Sequence, residues 1–107
     1  MIKQTSSTIY TCDVHFDWDH FVCDDGKGFT DLIKWSNRVR EMEDEISLLK
    51  EACPSAHVQF TREKKQGGGN GIVRIQYTNI SRGDDVCREA AEQFNHAVRR
   101  HSWWKDV

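Results

Sequence analysis

The chain has 107 residues, of which 37% are hydrophobic and 30% charged, and its net charge is −2. That length supports one hydrophobic core and not two, so a single domain over residues 1–107 is expected. No apolar run approaches the ~20 residues of a membrane span, and the opening stretch MIKQTSSTIYTCDV lacks the apolar segment of a secretory signal. The expectation is a cytoplasmic protein with no membrane partner.

A hydrophobic fraction this low implies a thin core. Four Trp, five Phe and two Tyr compensate for it, because each ring buries a large apolar area. Residues 8–18, TIYTCDVHFDW, alternate strictly. Tyr10, Cys12, Val14, Phe16 and Trp18 share one face, and Thr11, Asp13, His15 and Asp17 the other, which is the period of a half-buried strand. Residues 19–28 contain Asp24-Asp25-Gly26-Lys27-Gly28, a turn-rich stretch. Over 29–53, Leu32, Trp35, Val39, Met42, Ile46, Leu49 and Cys53 recur at spacings of three and four. They mark a helix of about 36 Å with one apolar seam, capped by Thr30 and closed by Pro54.

Residues 56–62, AHVQFTR, alternate again with Val58 and Phe60 inward, and residues 72–80, IVRIQYTNI, follow with Val73, Ile75 and Tyr77 on one face. The Gly-rich segment 66–71 between them predicts a hairpin. Ser81 is the expected cap of a final helix with Asp84 and Asp85 in its first turn. Val86, Ala90, Phe94, Ala97 and Val98 form its buried stripe, and Arg99, Arg100 and His101 its last turn. The fold class is therefore α+β in the order β-α-β-β-α. A right-handed crossover from the first strand to the second predicts a three-stranded mixed sheet, with both helices packed on one face. The other face is left to solvent. On it Asp13, His15 and Asp17 should lie beside His57, Gln59 and Thr61, and beside Arg74, Gln76 and Thr78.

Little in the chain spells out chemistry. Cys12-x-x-His15 and His20-x-x-Cys23 have zinc-like spacing, but on a strand Cys12 and His15 point to opposite faces. No metal or cofactor is expected. The four cysteines never form a CxxC pair and are expected to be free thiols. Asp13, His15, Asp17 and Asp19 recur at every second position, a row able to hold a divalent cation and activate water; ordinary solvated strand residues have the same pattern. Gly67-Gly68-Gly69-Asn70-Gly71 precedes no helix and lacks the Lys-Ser/Thr of a phosphate loop. Beside it, Arg62, Lys64 and Lys65 would make a basic hairpin tip, either solvated or set against phosphate or an acidic surface. Residues 1–53 hold six Lys and Arg against 11 Asp and Glu, and residues 54–107 hold nine against six. That polarity either orients a partner or simply reflects two helices of different charge. The long seam reads as intramolecular packing, with a coiled-coil interface as its alternative. Trp103 and Trp104 are adjacent, so one should be exposed or folded back, a candidate contact patch.

The order of these pieces resembles the DinI-like family, DNA-damage-inducible proteins that bind RecA filaments. The matching pieces are Pro54, His57-Val58-Gln59-Phe60, Gly69-Asn70-Gly71, the strand from Ile72 to Ile80, and Trp103-Trp104-Lys105-Asp106. They cover residues 29–107. The resemblance implies a β-α-β-β-α fold and a regulator of DNA machinery. The chain departs from the family in a longer first strand and loop, and in a final helix of mixed charge with a basic end. In the family that helix is acidic and meets the filament.

Three functions compete. The first is a non-enzymatic protein-binding regulator or inhibitor, host- or phage-encoded, acting on a DNA- or RNA-processing machine. Its contacts would be Asp13, His15, Asp17, Arg62, Lys64, Lys65, Arg74, Gln76, Trp103 and Trp104. The second is a nucleic-acid-binding module using Arg62, Lys64, Lys65, Arg74, Arg99 and Arg100. The third is a metal-dependent phosphodiester hydrolase built on Asp13, His15 and Asp17. Monomer and homodimer are both left open.

Overall fold

The computed structural model describes residues 8–22, 31–65, 68–78 and 80–107. The elements follow as β1 (Ile9–Asp17), α1 (Trp18–Phe21), α2 (Leu32–Ala52), β2 (His57–Lys65), β3 (Gly68–Thr78) and α3 (Gly83–Val98). The α+β class and the β-α-β-β-α order stand, with the single turn of α1 added after β1. The turn-rich run Asp24 to Gly28, and the expected cap Thr30, lie outside the described residues.

The sheet is not mixed. Its order is β1-β3-β2, and both pairings are antiparallel. The expected crossover put β1 beside β2; instead β3 lies between them, and α2 bridges strands two places apart. The central place suits β3 because it is the strand with apolar residues on both sides. Val73, Ile75 and Tyr77 enter the core, while Ile72 is only 7% exposed on the opposite face.

Both helices cover one face. Val14 and Phe16 of β1, Val58 of β2 and Val73, Ile75 and Tyr77 of β3 meet Met42, Ile46 and Leu49 of α2 and Cys87, Ala90, Phe94 and Val98 of α3. The long seam therefore packs within the chain from Trp35 onward, and only its first turn is bare, with Leu32 and Ile33 exposed. Val39, expected in the core, is half-buried at its rim.

The caps differ from expectation. Asp31 caps α2 by accepting from the Lys34 amide at 3.1 Å. The residue before α3 is Arg82 in the left-handed region (φ 57°), not a capping Ser81. The next residue, Gly83, is needed for contact: a Cβ there would stand 2.1 Å from the Tyr10 ring.

The hairpin is longer than the sequence suggests. Both strands run to its tip, so Gly69, Asn70 and Gly71 pair within β3 and do not form a loop. Gly71 lies under the Phe16 ring, which a Cβ would approach to 2.2 Å. An aromatic seated on a strand glycine restores the apolar cover the glycine lacks.

Trp103 and Trp104 follow α3 in a turn, and both are buried, 2% and 8% exposed. The expected patch on them does not form. The chain folds back so that Trp104 packs at a tilt on Phe16 (5.0 Å) and Trp103 on Phe21 (5.4 Å). Their indole N–H groups donate to Asp106 and Glu41. Among the described residues, no helix is long and apolar enough to cross a membrane.

Candidate functional site

The open face is built by alternation and register. Four cross-strand rows run over it: Thr11–Gln76–His57, Asp13–Arg74–Gln59, His15–Ile72–Thr61 and Asp17–Asn70–Glu63. Thr11, Asp13, His15, His57, Gln59 and Thr61 are exposed, and Arg74 and Gln76 half-buried on the central strand. This is the grouping expected from the sequence, with β3 in the middle.

At its centre the Arg74 guanidinium donates to both oxygens of Asp13, at 2.9 and 3.0 Å. That fork-to-carboxylate geometry is the strongest form of ion pair. The hydrogen bond from Arg74 holds the Asp13 carboxyl below the usual carboxylate range, against the opposing pull of burial.

The row Asp13, His15, Asp17, Asp19 does not survive as a metal-ligating line. Asp13 is taken by Arg74. Asp17 caps α1, accepting from the His20 amide at 2.9 Å. Asp19 lies in α1, where the strand alternation has ended. Among the described residues no group of three His, Cys, Asp or Glu is placed to hold a metal ion. In the zinc-like pair, Cys12 packs against the core while His15 is exposed on the open face, and Cys23 lies outside the described residues. His20 faces the Ser102 carbonyl at 2.8 Å.

Cys12, Cys53 and Cys87 are free thiols. Burial, with neighbouring Cys12 adding to it, pushes the Cys87 thiol up to about 12. Its Sγ donates to the Ile75 carbonyl at 3.2 Å. A thiol held protonated in this way is a core group and not a nucleophile.

The basic residues are dispersed. Arg62, Lys64 and Lys65 belong to β2 and not to a loop. Alternation puts Arg62 on the helix-bearing side. Arg62 reaches over Gly69. Arg99 pairs with Asp106 at 2.9 Å, and Arg100 with Glu45.

Glu45 itself was not legible as special. It is 4% exposed, the buried charge of the molecule's described core. Arg100 donates to it, and His101 Nε2 stands 3.0 Å from the same oxygen. Burial pushes the Glu45 carboxyl up; the His101 and Arg100 hydrogen bonds outweigh that and hold it below its ordinary range. His101 also stacks on Trp103 at 4.6 Å. This group ties α2 to the segment after α3.

Two grooves flank the sheet. One, of about 530 Å³, lies between β1 and α3 and is lined by Thr11 to His15 with Arg88, Ala91, Glu92 and Asn95. The other, of about 410 Å³, lies between β2 and α2, beside Val58 and Phe60. The helix wall of the first groove went unnoticed in the sequence, although positions 88, 91, 92 and 95 share one helical face beside the buried stripe. No family model matches this chain, and no curated protein or solved structure is significantly similar to it.

Proposed function

We propose that this protein is a small non-enzymatic regulator or inhibitor that binds a protein partner through the open face of its sheet. The observation that carries this reading is the fixed polar array around the Asp13–Arg74 pair, held on three strands with the whole core behind it. Polar groups pre-positioned on a rigid sheet lose little freedom on docking, which favours recognition. The groups that hydrolysis would need are engaged elsewhere, Asp13 with Arg74 and Asp17 with α1. A target within a DNA- or RNA-processing machine, as the DinI-like order of elements suggests, is part of the proposal.

The test is a dose comparison with the partner recovered from the source cell. A binder acts near the concentration of its target, and an enzyme at a small fraction of it. Gln59→Arg with Thr61→Arg should weaken the complex at least about tenfold with the melting temperature unchanged, since exposed strand positions carry little stability. Cleavage of nucleic acid by trace protein with magnesium or manganese, dependent on Asp13 and Asp17, would replace this reading with the hydrolase. A steep fall of affinity with salt would replace it with nucleic-acid binding.

A further inference from the structure

The edge of β1 has a property that its face does not. The Asp17 amide donates to the Lys105 carbonyl at 2.7 Å, so it points away from β3. In an antiparallel strand alternate residues direct both N–H and C=O to the same side. Thr11, Asp13 and His15 therefore present their backbone groups outward as well. No backbone partner meets them among the described residues. They open onto the groove whose far wall is Arg88, Ala91, Glu92 and Asn95. There the Asn95 side-chain oxygen is buried without a hydrogen-bond partner. Unpaired strand edges are normally blunted or covered.

We propose that this edge receives an extended segment of a protein partner as a fourth strand, seated between β1 and α3, in which basic and apolar residues alternate. The inference rests on the protein-binding reading and adds a mode of binding to it. The chain's own tail shows the pairing in miniature. Lys105 gives its carbonyl to the Asp17 amide and brings its ammonium to 4.0 Å from the Asp17 carboxylate. Two outward positions along, past His15, Asp13 repeats the acidic side chain on the same face, with Arg74 of β3 on its inner side. A residue opposite Asp13 is thus matched by a cation, as opposite charges are across strands. Its neighbours face the groove beside Val14 and Ala91 and are matched by apolar side chains. Main-chain bonds supply affinity in such additions, and alternate side chains supply specificity. The tail at Asp17 ends the free edge after four outward residues, Ile9, Thr11, Asp13 and His15. That stretch accommodates a short segment and is small for a stable dimer of two copies.

The probe is a capped seven-residue peptide of alternating lysine and valine, titrated into the isotope-labelled full chain. Binding should shift the Thr11, Asp13 and His15 amides and slow their hydrogen exchange at least about tenfold. In an antiparallel addition the lysine amides face β1. Methylating the lysine backbone nitrogens should abolish binding, and methylating those of valine should not. A glutamate–valine peptide should bind at least about tenfold more weakly. Ala91→Trp should fill the groove and abolish binding at an unchanged melting temperature.

Equal binding of the two methylated peptides, or none by any peptide, would overturn the proposal. So would protection of the three amides that grows with protein concentration alone, since a second copy would then hold the edge. If the edge fails while Gln59→Arg with Thr61→Arg still weakens the natural complex, the mode falls and the protein-binding reading stands. If trace protein turns over a substrate, that reading falls whatever the edge does.

Discussion

The two faces of the sheet share every backbone hydrogen bond and differ in almost everything else. On the covered face, rings and aliphatic chains interlock. Phe21 alone touches Phe16, Trp18, Trp35, Phe60 and Trp103 with ring centroids 4.9 to 5.9 Å apart. On the open face, polar side chains stand in four rows about one ion pair, with Ile72 the only buried residue in those rows. One face holds the structure together and the other is free to be used. The general lesson is that adjacent residues of one strand answer to different demands. Val14 is constrained by packing and Asp13 by what approaches from outside.

Substitutions separate the two. The largest effect should come from Phe21→Ala, which removes the hub of the aromatic group and should cost about 3–5 kcal/mol in denaturant unfolding. A much smaller loss would mean that the neighbouring rings close the gap. Ile46→Ala on α2 should cost about 2–5 kcal/mol, and an unchanged melting temperature would remove the long helix from the core. Arg100→Ala with His101→Ala leaves Glu45 buried and unpaired. The usual cost of such a break is reduced here because the Arg100 side chain is 63% exposed, so about 2 kcal/mol is expected at neutral pH.

That last effect has a definite pH dependence. The native Glu45 carboxyl is held below its ordinary value of 4.5. Its pairing therefore stabilises the fold fully above that value and is lost as pH falls through the lower native one. The gap between wild type and the double variant should narrow on acidification; a gap that does not change with pH would show that His101 and Arg100 act through packing alone. Asp13→Asn should have the smallest effect on stability. Its melting temperature should stay close to wild type, while partner affinity falls in a graded way. A large loss of stability there would place the open face among the structural elements and erase the contrast between faces.

How much of this was readable beforehand follows from the kind of signal each feature leaves. β1 and the seam of α2 were plain because burial on one side imposes a strict period on the residues. The composition of the open face followed from that alternation without knowledge of strand order. The order itself was not readable. Only Ile72, an apolar residue among polar ones, hinted that β3 is central. Gly69 and Gly71 resemble loop glycines until Phe16 is seen lying on the second. Trp103 and Trp104 mislead because adjacency excludes a shared face only within a helix, and the helix ends at Val98. Glu45 sits among exposed Glu43 and Asp44, and its burial depends on Arg100 and His101, more than 50 residues away. The outward edge of β1 was equally hidden, since residue type says nothing about which backbone groups lack a partner.

The aromatic group also determines how unfolding can be observed. All four tryptophans, Trp18, Trp35, Trp103 and Trp104, stand in one cluster at the Asp17 end of the sheet, with Trp18 and Trp35 at 5.5 Å and Trp103 and Trp104 at 6.3 Å. Intrinsic fluorescence therefore reports one end of the molecule, whereas amide circular dichroism averages over the whole of it. The other end, where Tyr10 rests on Gly83 and Cys87 bonds the Ile75 carbonyl, is silent in tryptophan emission. Superimposable melting curves from the two signals would mean that both ends unfold as one cooperative unit. A fluorescence transition that comes first would reveal an aromatic end that opens on its own, releasing the tail from the β1 edge before the sheet is lost.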